Sequence, residues 1–114
     1  MKKNILLTNI LIIPFFVTIA NSECIYPKKD FKFPNGSKAS EAVMIEAQTK
    51  FKAWQAAAET YRGCLETELA SIPEESENFS DLDSMMTDKF NASIEEETQL
   101  AEDWNSAVRA YTSK

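Results

Sequence analysis

The sequence predicts an all-α fold, a long antiparallel helical hairpin with an extended N-terminal arm clipped onto it by a disulfide. Three observations lead there. Val43, Ala47, Phe51, Trp54, Ala58, Tyr61, Leu65, Leu69 and Ile72 follow one another in steps of three or four, the spacing that keeps side chains on one face of a helix. Leu82, Met86, Phe90, Ile94, Ala101, Trp104, Val108 and Tyr111 mark a second stripe of helical period, so that two helices can pair with coiled-coil spacing. Between them stands Pro73 in a polar run, and the chain's two cysteines lie before the first stripe (Cys24) and beside it (Cys64).

Taken in order, residues 1–22 read as a secretory signal peptide. Lys2 and Lys3 precede an apolar run from Ile5 to Ala20 that ends in small residues, Ala20 and Ser22. Asn9 and Pro14 interrupt that run, and it falls short of the roughly 20 apolar residues a spanning helix needs. Cleavage after Ser22 would leave an exported protein, periplasmic or secreted, beginning at Glu23 and without a stable membrane span. Glu23 occupies the place before Cys24 where a lipid-attachment site requires a small residue.

Loss of the leader removes Lys2 and Lys3, moving the formal charge from -6 to -8, 12 minus 2 bases against 18 acids. From Glu74 onward eleven acids face only Lys89, Arg109 and Lys114. Phosphate groups are held by clustered Lys and Arg, so this half is unsuited to nucleic acid or an anionic membrane surface. A single small domain remains, with a core of marginal size. Such a chain needs a staple, and an oxidising compartment permits a disulfide.

Residues 23–39 form the arm. The segment has no helical period, carries Pro27 and Pro34, and offers Tyr26, Phe31 and Phe33 for burial. Asn35-Gly36 supplies a turn, and Ser37 or Ser40 the N-cap of the first helix, expected over about 40–72. The sixteen steps from Cys24 to Ser40 can reach roughly 50 Å at 3.1 Å each, whereas the 24 helical steps from Ser40 to Cys64 span roughly 36 Å. A Cys24–Cys64 bridge is within reach. An intermolecular bridge or a redox pair are the other uses of two cysteines, and the Cys-x-x-Cys spacing of a redox pair is absent. Gly63, beside Cys64, marks either a close approach of the arm or a tolerated surface glycine.

Pro73 stops the first helix near Ile72. Ser80 with Asp83 gives a capping signature for the second, expected over about 81–112, with Arg109 and Lys114 near its C-terminal end. Joined by a short loop, the helices should set Ile72 near Leu82 and Val43 near Tyr111. Each stripe would then be covered on one side only. Either the arm supplies the third layer, or a second copy does, with Phe51, Trp54, Phe90 and Trp104 as the interaction surface of a homodimer. The sequence leaves both open.

An exported leader, a Cys-containing Pro-rich arm, Pro34-Asn35-Gly36-Ser37, Glu41 with Met44, Ala47-Gln48, Phe51-Lys52 and Tyr61-Arg62-Gly63-Cys64-Leu65-Glu66 together resemble a group of small exported helical proteins of proteobacteria. The resemblance covers about Cys24 to Glu68 and brings no activity with it. It implies that the arm and first helix form one unit, with Cys24 and Cys64 as partners.

Histidine is absent from the whole chain, which removes the usual general base, the usual zinc ligand and every Ser-His or Cys-His nucleophile. A hairpin offers little cleft for a carboxylate pair to work across. Glu74-Glu75-Glu77 and Glu95-Glu96-Glu97 lack a calcium-loop pattern and read as solvated charge. Gly36 and Gly63 are the only glycines, too few for a phosphate-cradling loop. Asn35, Asn78 and Asn91 each begin an N-x-S triplet, read first as turn and cap residues. The expectation is a non-catalytic protein without catalytic, metal or cofactor residues, binding a protein partner or itself. A chaperone-like binder of unfolded clients, gripping them through Met44, Met85 and Met86, is the alternative, and a small enzyme the third class.

Overall fold

The computed structural model describes residues 23–114; the expected signal peptide, 1–22, lies outside the described residues. Two helices form, α1 over Glu41–Ala70 and α2 over Phe79–Thr112. Ser40 caps α1, its hydroxyl oxygen accepting from the Val43 N–H at 3.3 Å, which fills one of the donors a helix start leaves open. At the other end the Ser71 N–H bonds back to the carbonyls of Thr67 and Glu68, and the helix ends two residues short of Ile72.

The start of α2 departs from the capping signature at Ser80. Turns closed by the Ser76 N–H on the Pro73 carbonyl and the Phe79 N–H on the Ser76 carbonyl, each at 3.0 Å, lead straight into a helix at Phe79. Asn78 takes the cap position without a side-chain hydrogen bond, and Ser80 already lies in the first turn.

The helices pair antiparallel, with Met44 packed near Tyr111 at the open end and Ile72 and Phe79 sharing a wall at the loop end. On α1 the buried residues are Met44, Ala47, Phe51, Trp54, Ala58, Tyr61 and Leu65, in strict alternation of three and four. That spacing is the heptad pattern of paired helices. Met44 stands in it where Val43 was expected; Val43 is 43% exposed. On α2 the buried residues are Met86, Ser93, Leu100 and Ala107, one per heptad. The expected stripe ran 82, 86, 90, 94. Three successive steps of four advance each by about 40° beyond a full turn, so Ile94 is carried off the seam and is 40% exposed.

The arm is the third layer. It starts at the Cys24–Cys64 disulfide, whose Cα atoms are 5.6 Å apart, and runs back toward the start of α1. Tyr26 meets Tyr61 edge to face with ring centroids 5.0 Å apart. Phe31 is buried with Phe51, Trp54, Ala58 and Leu100, and Phe33 sits against Phe51 and Trp104. Ala39 closes the far end with Met44 and Ala107, and its carbonyl accepts from the Lys114 ammonium, which also lies 4.4 Å from the Tyr111 ring centroid. The twelve steps from Cys24 to Gly36 reach roughly 37 Å at polyproline rise, matching the roughly 36 Å of helix beneath them.

Gly36 approaches α2 closely. A Cβ there would fall 1.9 Å from the Ala107 carbonyl oxygen, so the arm's backbone lies directly on the backbone of α2. Next to it the Asn35 side-chain oxygen accepts from both the N–H and the hydroxyl of Ser37, at 3.1 and 2.7 Å, holding the turn. At Gly63 nothing lies within 4 Å of an added Cβ; of the two readings open for it, the tolerated surface glycine is the one found.

One layer of the seam is polar. Arg62 donates to the Ser93 hydroxyl at 3.0 Å and to the Glu97 carboxylate at 3.3 Å. Ser93 is fully buried, and the Arg62 and Glu97 side chains are 13% and 27% exposed. Slipping one helix along the other would leave these groups without partners, so the layer fixes register. Arg62→Ala is expected to destabilise the fold by about 1 to 3 kcal/mol, because it strands a partly buried carboxylate and a buried hydroxyl. Arg62→Leu combined with Glu97→Leu should recover much of that loss. A double-mutant cycle followed by urea unfolding checks it: additive single losses would mean that the pair is not coupled.

Candidate functional site

The disulfide, Tyr26 and Arg62 together form a belt around the middle of the hairpin, and the belt divides it in two. On the arm side, aromatic rings fill the space between the layers. On the loop side the arm does not continue, and Leu69, Ile72, Phe79 and Phe90 stay partly exposed beside a seam that keeps Leu65 and Met86 buried.

The Tyr26 hydroxyl donates to the Glu96 carboxylate, so the belt joins the arm to α2 as well as to α1. Glu95-Glu96-Glu97, expected as solvated charge, is therefore divided in use. Glu95 is exposed, Glu96 holds the arm, and Glu97 pairs with Arg62. Tyr26 remains 40% exposed, yet partial burial and the adjacent Glu96 carboxylate, both of which disfavour a phenolate, hold its phenol well above its ordinary value of 10.0. Below pH 10 the phenol is protonated folded and unfolded, and the contact contributes in full. Above it the unfolded chain ionises first, so stability falls as pH rises. Tyr26→Phe should flatten that alkaline fall while costing no more than about 1 kcal/mol at neutral pH. Chemical denaturation at pH 8 and pH 11 tests it; equal pH dependence in both proteins would remove Tyr26 as the cause.

Beyond the belt lies a groove of about 240 Å³ lined by Leu65, Glu66, Leu69, Met86, Thr87 and Phe90, with Leu65 and Met86 buried at its base. A neighbouring hollow of about 350 Å³, walled by Leu69, Ile72 and Phe79, continues it to the loop. The groove exists because the arm, entering at Cys24, runs away from the loop end. Its floor follows from sequence spacing: Leu65, Leu69 and Ile72 continue the α1 stripe, and Phe79, Met86 and Phe90 lie along the facing side of α2.

The residues expected to form an interaction surface are divided by this arrangement. Phe51 and Trp54 are 4% and 3% exposed beneath the arm and present no surface for a dimer; the indole Nε1 of Trp54 is buried without a hydrogen-bond partner. Trp104 is half-buried against Phe33. Phe90 alone of the four lines the groove. Met44 and Met86 are buried at 6% and 8%, which leaves Met85, 43% exposed, as the only one of the three methionines on the surface. Leu65 and Leu69 belong to the α1 stripe, and periodicity alone does not place them at a groove, because it does not show where a third layer stops.

Eight acids and one base lie between Leu65 and Phe90, Glu66, Glu68, Glu74, Glu75, Glu77, Asp81, Asp83 and Asp88 against Lys89, a net of -7. Residues 23–64 hold seven bases against five acids, a net of +2. The hairpin is thus electrically polar along its length, mildly basic at the arm and strongly acidic around the groove. No helix among the described residues is long and apolar enough to cross a membrane. The closed Cys24–Cys64 disulfide fits an oxidising environment of extracellular type. Comparison with protein-family models, with curated proteins and with solved structures finds no match to this chain.

Proposed function

We propose that this is a non-catalytic protein-interaction module, exported to the periplasm or beyond, that presents one end of a stapled helical hairpin to a partner. The observation that carries the reading is the uneven cover of the hairpin: one part sealed by the arm, the loop end left with a largely apolar groove that has Glu66 and Glu74 at its rim. Supporting export are the leader pattern of residues 1–22 and a disulfide suited to an oxidising compartment. The missing histidine supports a binding role over catalysis. A client-gripping chaperone would draw on a broad methionine surface, and with Met44 and Met86 buried that reading has less to stand on.

Native mass spectrometry of the protein released gently from its own cells tests the proposal. The expected spectrum contains a chain starting at Glu23, with the disulfide closed, in a stoichiometric complex with a second protein. Finding only bare monomer across extraction conditions would count against an interaction role, and a mass including residues 1–22 would count against processing.

A further inference from the structure

We infer that the groove at the loop end receives a cationic amphipathic helix from a partner protein, about three turns long, with its apolar side against Leu69, Ile72 and Phe90 and its Lys or Arg residues toward Glu66 and Glu74 at the rim. This rests on the interaction-module reading and names the chemistry of the partner. Size comes first. On α2 the groove and its continuation run from Phe79 to Phe90, eleven steps or roughly 16 Å, which is the length of three helical turns. A helix of that length offers anchors at i, i+3 or i+4, and i+7, the pattern by which helices fill such grooves.

Charge selects among occupants. With a net of -7 between Leu65 and Phe90, a second copy seated groove to groove would bring two such ends together, and the repulsion opposes it. Glu66 stands in the wall of both hollows and Glu74 in the outer one, next to the apolar floor. An apolar ligand without charge would leave those carboxylates unpaired at the rim, whereas flanking Lys or Arg would pair with them. The arm of the same chain is unavailable, since the disulfide and the Gly36 contact hold it on the other half.

The probe is a synthetic peptide of about 14 residues with Leu at heptad positions and Lys elsewhere, alongside a scrambled peptide of equal composition and a Leu/Glu twin of the same apolar pattern. Fluorescence anisotropy against the disulfide-closed protein should show binding of the Leu/Lys peptide only, weakening as salt rises. Thr87→Trp, which fills the groove from an exposed helix position, and Leu69→Gln, which removes apolar wall without changing charge, should each weaken binding roughly tenfold or more while the circular dichroism melt stays that of a folded hairpin. Two variants guard against one failing to fold. Equal binding of the scrambled peptide, or indifference to both substitutions, would mean general attraction to an acidic protein and would overturn the site. Absence of binding by any peptide would overturn it too, while a stoichiometric native complex could still uphold the interaction module through another surface. Sedimentation showing a dimer that Thr87→Trp dissociates would make a second copy the occupant and refute the cationic partner.

Discussion

Gly36→Ala is expected to unseat the arm. The added Cβ would fall 1.9 Å from the Ala107 carbonyl oxygen and 2.8 Å from the Tyr111 nitrogen, both backbone atoms of the C-terminal turns of α2 that no rotamer change can move aside. Overfilling a packed site costs about 1 to 3 kcal/mol where neighbours can yield, and these yield little. Relief by lifting the arm would expose Phe31 and Phe33 and uncover Phe51 and Trp54, and losing even one buried aromatic side chain costs about 3 to 5 kcal/mol. Trp54 fluorescence should move toward that of a solvated indole, the melting temperature should drop, and proteolysis should cut between Pro27 and Ser37. The opposite result is expected at the other glycine. Gly63→Ala meets nothing within 4 Å in the interior of α1 and should stabilise by up to about 1 kcal/mol through helix propensity. A Gly36→Ala protein with an unchanged melt and unchanged Trp54 emission would mean that the arm is not held against α2 in the way described.

Cys64→Ser carries the second large effect. Cys24 and Cys64 are 40 residues apart in sequence, and in the chain-entropy account closing a loop of that size stabilises the fold by about 4 kcal/mol. A domain of this size has on the order of 5 to 15 kcal/mol in all, so the staple supplies a large share. The loss should appear as a melting point lower by more than about 10 °C under oxidising conditions, and reduction of the unsubstituted protein should reproduce it. The damage should also be uneven. Tyr26 and the first residues of the arm would loosen first, since the turn at Asn35 and the Ala39 contacts hold the arm's other end independently. Hydrogen exchange that rises uniformly over the chain, or does not rise at all, would contradict that placement.

These two expectations also separate what is written in the sequence from what is not. The aromatic residues of the arm were legible as a third layer because Tyr26, Phe31 and Phe33 have no other obvious place to be buried, but a second copy stayed open as the alternative until the packing was known. The groove was not legible. Its lining is continuous with the core stripes, and periodicity assigns a residue to a face without saying whether anything covers that face. The polar layer was hidden for a related reason: Ser93 occupies a seam position where an apolar residue is the usual choice, so periodicity points to the neighbouring Ile94, and only Arg62 on the facing helix makes the serine intelligible.

By itself the sequence determined the two helices, the proline that separates them, and an arm long enough for Cys24 to reach Cys64, because each depends on local spacing or on the length of a chain segment. Tertiary structure alone decided the rotation of each helix, which puts Met44 and Ser93 on the seam and turns Val43 and Ile94 outward. It also decided the use of the two glycines: Gly36 serves close backbone contact with α2, where the sequence offered a turn, and Gly63 faces open space. Both outcomes depend on what lies opposite a residue across the interface, a quantity that helical period and chain length do not contain.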